Sequence, residues 1–176
     1  MHDPHVSEHP GTSEEISVRA ARSEHADQIR ALALDNAMFA ADEMDGFDEG
    51  LHGYLENPSG AQRWIVALDR SERVVGAALY APEPFGDRVW NLLFLAAEPA
   101  QQRRGIGATL VAHVESELRA AGGHVARVLI VETSSTDQFV AARRFYERRG
   151  FDREAVIREY YGPGDDKVTY WKDLTA

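Results

Sequence analysis

Two glycines separated by one residue, Gly105 and Gly107, follow a pair of arginines and precede an amphipathic stretch. A glycine backbone adopts dihedral angles that strain other residues, and it can approach a ligand closely. The first amide groups of a helix have no partner within the helix and point outward at the positive end of its dipole. Together with Arg103 and Arg104, the loop therefore predicts a cradle for a phosphate-bearing ligand.

Three other interpretations of this loop were compared with its sequence: a P-loop, a dinucleotide-binding loop and a simple turn. A nucleotide-binding P-loop needs G-x-x-x-x-G-K-[ST], and no lysine follows the second glycine here. A dinucleotide fingerprint needs a third glycine, where this chain has Leu110, and a strand that opens a βαβ unit. A loop that only turns the chain would leave the arginine pair and the amide array without an explanation.

Composition bounds the class of protein. The chain has 176 residues, 44% of them hydrophobic and 27% charged, which favours one folded domain of ordinary size. Its 19 Lys and Arg against 29 Asp and Glu give a net charge of −10, which argues against nucleic acid or an anionic membrane as a partner. The absence of cysteine excludes disulfides, zinc-thiolate sites and thiol nucleophiles.

The ends of the chain and its location are predicted from the same composition. Residues 1–15 are polar and are expected to form a flexible tail, whereas residues 16–176 are expected to form a single domain. The tail carries His2, His5 and His9 without an apolar framework, so no metal site is predicted there. No stretch approaches the roughly 18 apolar residues of a membrane helix, and a cytoplasmic protein is expected.

Hydrophobic periodicity predicts eleven elements in the order β-α-α-β-β-β-α-β-α-β-β. The expected strands are 16–21, 64–68, 74–80, 89–97, 125–131, 151–161 and 167–174, the first three after residue 60 forming an antiparallel meander. Four helices are expected. The first begins at a Ser23 cap, and the second and third span 42–56 and 106–121. The fourth begins at a capping box of Ser135 and Gln138. This order indicates an α/β fold, with about four helices packed on a largely antiparallel mixed sheet of about seven strands.

Two segments resemble a known family. Gln102-x-x-Gly105-x-Gly107, preceded by Pro99 and followed by the amphipathic helix, resembles the coenzyme A pyrophosphate loop of the GNAT superfamily of N-acetyltransferases. Residues 142–151, ARRFYERRGF, resemble the A-x-x-F-Y-E-x-x-G-F segment of that superfamily. One strand separates the two segments, as in the family, and the predicted order of elements agrees with the family over about residues 16–174.

The resemblance implies that acetyl-CoA is the co-substrate and that no metal is needed. The pyrophosphate would bind the backbone amides of Gln102, Arg103, Arg104, Gly105, Ile106, Gly107 and Ala108. The pantetheine arm would bind the strand edge at Leu95, Ala96 and Ala97, splayed away from the strand at residues 128–131. The expected reaction is direct attack of a primary amine on the thioester in a ternary complex. The alternative is an inactive GNAT module that binds acyl-CoA as a sensor.

The resemblance also assigns catalytic roles. Tyr146 would protonate the departing thiolate, since a tyrosine is neutral at pH 7; without the resemblance it would be interpreted as a core aromatic. The fourth strand, where several relatives carry a glutamate, has no carboxylate at residues 90–95. Glu132 is the nearest candidate base, with capping or a salt bridge to Arg143 as the alternative. Glu83 and Glu98 are poorer candidates.

The resemblance implies that the acceptor is an amine, either of a small molecule or of a protein. Many relatives carry asparagine where this chain has Phe139, which cannot make the polar contact of that side chain with the cofactor, whereas Ser134, Ser135 and Thr136 offer hydroxyls nearby. Acids of residues 42–49 and of the final hairpin, with Tyr160 and Tyr161, would form an acidic mouth for the amine, unless they are simply solvated. A homodimer is expected from the resemblance alone.

Overall fold

The computed structural model describes residues 16–39, 44–58, 60–101 and 104–175. Within them seven strands form one sheet: β1 Ser17–Ala20, β2 Arg63–Leu68, β3 Val74–Pro82, β4 Val89–Ala97, β5 Val128–Ser134, β6 Asp152–Gly162 and β7 Asp165–Asp173. Four α-helices accompany it: α1 Ala26–Asp35, α2 Met44–Glu56, α3 Ile106–Ala121 and α4 Val140–Arg148. Short 3-10 turns precede α1, α3 and α4, at Ser23–His25, Pro99–Gln101 and Asp137–Phe139.

The strands lie in the order β1-β2-β3-β4-β5-β7-β6. Only β4 and β5 pair in parallel, and α3 makes the crossover between them. All the other neighbours pair antiparallel, including the meander from β2 to β4 and the final hairpin. The predicted α/β class, with seven strands in a largely antiparallel sheet and four helices, is confirmed.

Helices cover both faces of the sheet. On one face the core contains the apolar stripe of α3, Tyr146 of α4, and Leu129 and Val131 of β5. On the other face it contains Ile29 of α1 and Leu51 of α2, with Phe94 of β4. Side chains of a strand alternate between the two faces, and β2, β3 and β4 each supply residues to both cores. The middle of the sheet is therefore covered by a helical layer on each face.

The bounds of α3 agree with those predicted from its sequence. The helix begins after Gly105, its left-handed N-cap, and ends before Gly122, which also has a positive φ of 85°. Its stripe of Ile106, Leu110, Val114 and Leu118 is fully buried against the sheet. The N-terminus of α3 is thereby fixed close to the end of β4.

The strand predicted over residues 125–131 is shifted by three residues. Val125 and Ala126 both donate their amides to the carbonyl of Gly122, forming a turn, and pairing with β4 begins at Val128. The apolar run predicts a strand from its first residue, but its first residues form the turn that ends α3. The strand β5 therefore starts at Val128 and extends to Ser134.

Two predicted helix caps are wrong. The Ser23 side chain caps nothing, because it lies inside the first 3-10 turn, and the Arg22 amide donates instead to Nδ1 of His25 at 3.0 Å. Before α4 the Ser135 hydroxyl accepts the amide of Asp166 at 2.9 Å. Side-chain partners from elsewhere in the fold have replaced the local bonds that the spacing suggested.

Gly76 is expected to be the glycine of the sheet least tolerant of substitution. A Cβ at this position in β3 would lie 2.6 Å from Cγ2 of Ile106 and 3.2 Å from the carbonyl oxygen of Ala96. Gly76→Ala should therefore push α3 from the sheet and lower the free energy of unfolding by about 1–3 kcal/mol in urea denaturation. Gly53→Ala is the control, because its Cβ meets nothing within 4 Å and helix propensity improves. Equal stability of Gly76→Ala and the unsubstituted protein would contradict this packing.

Candidate active site

β4 and β5 separate partway along their length. They pair from Val89–Leu92 against Val128–Val131, and the ladder ends there although both strands continue. The next residue of β4, Leu93, is a β-bulge, since the two residues that flank it pair with consecutive residues of β3. A bulge bends its strand and increases the twist. The opening thus begins after residues 128–131, not along them as the sequence suggested, and lies between the ends of β4 and β5.

One edge of this opening is the last part of β4. Leu95, Ala96 and Ala97 pair with β3 on their other side, and Leu95 and Ala97 are half-buried against the core beneath α3. Beyond the bulge, their edge toward β5 has no ladder. The strand edge predicted to bind an extended ligand arm therefore faces the opening.

The N-terminus of α3 lies next along the chain. Gly105 has φ of +85°, no side chain caps the helix, and a Cβ at Gly105 would meet nothing within 4 Å. The amides of Ile106, Gly107 and Ala108 lack a carbonyl partner within the helix, as the first turn of any helix does. Arg104 is exposed beside them. Gln102 and Arg103, also predicted to contribute, lie outside the described residues.

The two glycines of the loop have different structural roles. Gly105 alone needs the left-handed backbone, whereas Gly107 is helical and does not have a positive φ. A Cβ on Gly107 would come 3.6 Å from the ring of Phe145, an ordinary contact. The expectation of strained dihedrals at both glycines is therefore wrong for Gly107. Its contact shows instead that α4 lies against the first turn of α3.

Tyr146 follows Phe145 and lies at the level of the opening. Its ring, 7% exposed, packs 5.7 Å from the ring of Tyr170, which pairs with Val131, the last residue of β5 before the opening. Burial, followed by the charge of Tyr170, raises its pKa well above the usual range for tyrosine. The phenol is thus a neutral donor throughout the physiological range, and its hydroxyl makes no hydrogen bond to the described residues.

Glu132 lies on the other face of the sheet. Leu129 and Val131 face the core that contains Tyr146, so the alternation of the strand turns Glu132 toward the side of α1 and α2. Its Oε1 accepts from Nζ of Lys167 at 2.9 Å and from the Thr169 hydroxyl at 3.5 Å. Its Oε2 has no such partner among the described residues. The two predicted catalytic side chains therefore flank the opening from opposite faces.

Comparison with known proteins agrees with this geometry. The sequence pattern of the Acetyltransferase (GNAT) family matches residues 27–151. The chain belongs to the GNAT acetyltransferase family. By sequence it matches no curated protein.

Solved structures share the GNAT fold over nearly the whole chain. A protein from Desulfovibrio desulfuricans, described as an acetyltransferase of the GNAT family, is 29% identical with a TM-score of 0.83 and covers 92% of this chain and 100% of its own. An aminoglycoside 6′-N-acetyltransferase complexed with coenzyme A is 18% identical, with a TM-score of 0.71 and coverage of 91% and 98%. The ribosomal-protein-S18-alanine N-acetyltransferase from Escherichia coli is 16% identical, with a TM-score of 0.72 and coverage of 92% and 96%.

Other carboxylates of this GNAT chain already have structural partners. Glu98 accepts from Arg73 at 2.7 Å, and that hydrogen bond lowers the pKa of Glu98. Glu83 accepts a hydrogen bond from the side-chain amide of Asn91 at 2.7 Å. The alternative partner suggested for Glu132 is wrong, because Arg143 donates to the carbonyls of Ser134 and Thr136.

The hydroxyls near Phe139 are also used within the fold. The Ser134 hydroxyl donates to Asp165 at 2.6 Å and lies 2.8 Å from the hydroxyl of Thr136. Ser135 is bonded to the backbone of Asp166, as described above. These three residues hold β5 to the final hairpin and supply no free hydroxyl of the kind expected for the cofactor.

The acidic mouth predicted for the acceptor is largely structural. Asp48 accepts from Arg30 at 2.9 Å, and this hydrogen bond, followed by the charge of Asp48, raises the pKa of that guanidinium. Asp165 accepts a hydrogen bond from the Ser134 hydroxyl, and Asp166 accepts one from the backbone amide of Glu159 at 2.9 Å. Residues 42 and 43 lie outside the described residues. The acids of the hairpin thus stabilise its turn.

The end of α1 is held across the opening by two contacts that the sequence did not reveal. The Asn36 side-chain amide donates to the carbonyl of Ala97, at the end of β4, at 3.1 Å. Gln138, predicted to belong to a capping box, instead donates to the carbonyl of Ala37 at 2.9 Å. The segment after α1 is therefore fixed to β4 on one side and to the turn before α4 on the other.

Two further findings concern the described part of the chain. No group of three or more histidine, aspartate or glutamate side chains is arranged there to hold a metal ion. No described helix is both long and apolar enough to cross a membrane. The histidines of the N-terminal segment lie outside these residues.

The ion pair of Lys167 and Glu132 gives a stability that depends on pH. Burial acts to lower the pKa of Lys167, but the hydrogen bond and charge of Glu132 outweigh it, and the net shift is upward. A pKa raised in the folded state stabilises the fold below the unfolded value, about 10.4, and the contribution disappears as pH rises through the folded value. Lys167→Met should cost about 1–3 kcal/mol at pH 7.

Urea denaturation of Lys167→Met at pH 7 and at increasing alkaline pH measures this contribution. The difference from the unsubstituted protein should shrink above about pH 10.4. The same substitution in a Glu132→Gln background should cost less at pH 7. A cost that is unchanged by pH and by Glu132→Gln would show that Lys167 stabilises through packing alone.

Proposed function

We propose that this GNAT protein is an acetyl-CoA-dependent N-acetyltransferase that acetylates a primary amine by direct attack in a ternary complex. The observation that carries the proposal is the opening after the bulge at Leu93, which lies beside an uncapped helix N-terminus. Such an opening exposes main-chain groups of a strand edge to an extended ligand. The first amides of α3 are suited to the phosphates of the same ligand.

The residues around the opening fit coenzyme A. The free amides of Ile106–Ala108 and the open space at Gly105 would hold the pyrophosphate, and the edge of Leu95–Ala97 would hold the pantetheine arm. Gln102 and Arg103 are assigned to the same loop from the sequence alone. When bound, acetyl-CoA supplies the thioester whose carbonyl carbon is attacked by the amine. The pair Arg103 and Arg104 adds positive charge at this loop, which suits an anionic ligand.

The amine must lose a proton to become a nucleophile. Glu132 is proposed to take this proton, directly or through one water, because its Oε2 is free of described partners and it lies on the face of α1 and α2. The ion pair with Lys167 holds the carboxylate in place through Oε1. Desolvation of the incoming ammonium lowers its pKa and favours release of its proton.

Tyr146 is proposed to supply the second proton. As the C–N bond forms, the nitrogen gives its second proton to solvent, the C–S bond breaks, and the sulfur accepts the proton of the phenol, which then regains one from solvent. The high pKa that burial gives Tyr146 keeps the phenol protonated before transfer. The net reaction converts an ammonium ion and a thioester into an amide, a thiol and one proton.

The activities of two structural neighbours support an amine acceptor. One neighbour is an aminoglycoside N-acetyltransferase, and another acetylates an alanine of a ribosomal protein. Both share the fold at less than 20% identity, so the acceptor of neither is assigned to this chain. Both acetylate a nitrogen atom, and the same reaction is proposed for this chain, with an amine as the acceptor.

A sensor that binds acyl-CoA without turnover is the second candidate. It is favoured by the fourth strand, where Asn91 and the bulge residue Leu93 stand in a segment without a carboxylate. The sensor would bind acetyl-CoA stoichiometrically and release no thiol with any amine. A domain for another nucleotide would instead bind ATP or NAD and fail to bind coenzyme A.

Gly105→Glu is expected to abolish acetyl-CoA binding, measured by calorimetric titration with ATP and NAD as ligand controls. The side chain would place a negative charge where the pyrophosphate is proposed to lie, and affinity should fall at least about a hundredfold, the equivalent of about 2.7 kcal/mol. Gly164→Glu is the matched control, because Gly164 also has a positive φ and open space at its Cβ but lies in the hairpin turn. Undiminished binding by Gly105→Glu would remove the cradle from the proposal.

Two conservative variants separate the proton steps in pH profiles of turnover. Tyr146→Phe should preserve acetyl-CoA affinity and lower kcat about a hundredfold, since general acid catalysis contributes on that order. Glu132→Gln should move the rising limb of kcat/KM to higher pH, because solvent must then deprotonate the amine. Tyr80→Phe, which loses a buried hydroxyl bonded to Glu117 away from the opening, is the control. Unchanged turnover of Tyr146→Phe at every pH would refute its assignment as the acid.

A further inference from the structure

An apolar pocket lies between α2 and the bulged part of β4. Its volume is about 150 Å³. Four aromatic rings form much of its wall and pack on one another, with centroids 5.3–5.7 Å apart: Phe39, Phe47, Trp64 and Phe94. A wall of this kind favours an apolar occupant, because aromatic side chains provide large contact areas and specific ring geometry.

No ionisable side chain is among the described residues that line the pocket. Its polar side chain is that of Gln62, and two glycines of α2, Gly46 and Gly50, leave open space where side chains would stand. The acids of α2 are elsewhere, and Asp48 is already bound to Arg30. A polycationic ligand would lose water here without gaining a charged partner, which is unfavourable.

The pocket reaches the opening between β4 and β5. Leu93 is both the bulge residue and a lining residue, and half of its surface is exposed, although it is a large apolar side chain in a central strand. Phe94, the next residue, faces the same side of the sheet as α1 and α2. Glu132 faces that side too. An occupant of the pocket would therefore lie beside the opening between β4 and β5 and on the side of the proposed base.

Trp64 supplies a second observation in the pocket wall. The residue is 2% exposed, and its indole Nε1 is buried without a hydrogen-bond partner among the described residues. An unpaired buried donor costs stability, and native structures retain few of them. Its presence in this wall indicates that the region is not packed for stability alone.

We propose that the acceptor is a small primary amine carrying one apolar ring, with the ring held between α2 and β4 and the amino group at the opening. This inference rests on the proposed function. An apolar cavity of about 150 Å³ is large enough for a single benzene ring. The acidic chain attracts the ammonium group from a distance, while the pocket selects the ring that accompanies it.

The test compares amines by thiol release at saturating acetyl-CoA. The probes are phenethylamine, n-propylamine, spermidine and kanamycin. Phenethylamine should have a kcat/KM at least about tenfold above that of n-propylamine, since burial of a few carbon atoms gives discrimination of this order, and above those of both polycations. Calorimetric titration of phenethylamine into the protein saturated with coenzyme A gives a second readout that needs no turnover, and it should show binding.

Gly50→Leu tests the location. A leucine of a helix covers the surface over the preceding turn, which here is the turn of Gly46, so its side chain would fill the pocket. The variant should fold, because no atom lies within 4 Å of the Cβ position and leucine favours helix over glycine. It should weaken phenethylamine binding at least about tenfold and bring the ratio of phenethylamine to n-propylamine turnover toward one. Gly53→Leu, on the same helix but outside the lining, should leave both unchanged.

The outcomes separate this inference from the proposed function. Turnover that prefers spermidine or kanamycin, or phenethylamine binding that Gly50→Leu does not weaken, overturns the ring pocket while acetylation of amines stands. Absence of acetyl-CoA binding overturns the proposed function, and phenethylamine titrated into the protein alone then still tests the pocket. Failure of phenethylamine to bind in either titration overturns the inference.

Discussion

The bulge at Leu93 is the constraint on which the site depends. A regular β4 would continue its ladder with β5 to the end of both strands, and every main-chain group there would be paired within the sheet. One extra residue bends the strand and ends the ladder at Leu92 and Val131. The unpaired edges that remain need partners, and an extended ligand with amide groups can provide them. The fold thus gives up strand pairing at its centre and leaves an unpaired strand edge at the same place.

The bulge also exchanges the faces of β4. Before it Trp90 and Leu92 belong to the core beneath α3 and α4, whereas after it Leu95 and Ala97 lie against that core and Phe94 faces α1 and α2. Without the extra residue the aromatic wall would lose Phe94 to the other layer. The same local insertion therefore opens the sheet and completes the pocket beside the opening. Tyr146 and Glu132 flank the opening from opposite layers of the sheet.

Sequence patterns predicted the features that depend on residues close together in the chain. Residues 106–121 could be assigned as a helix to the residue, because a continuous apolar stripe is bounded by glycines that start and end it. The order of elements and the loop of Gly105 followed from the same kind of signal. The start of β5 was misplaced because a turn and a strand both accept an apolar run. Ser23, Ser135 and Gln138 have the spacing of caps, but partners distant in sequence took their hydrogen bonds.

The pocket proposed for the acceptor was harder to predict than the loop proposed for the cofactor. The loop around Gly105 is continuous in sequence, whereas the rings of Phe39, Phe47, Trp64 and Phe94 come from four separate segments and meet only after the helices pack. The acids near them are conspicuous in the sequence, yet several already have partners within the fold. Net charge acts at long range and falls off with salt, while shape and burial act at contact. An acidic surface and an apolar pocket are consistent on one protein when the first concentrates a cationic ligand and the second selects among such ligands.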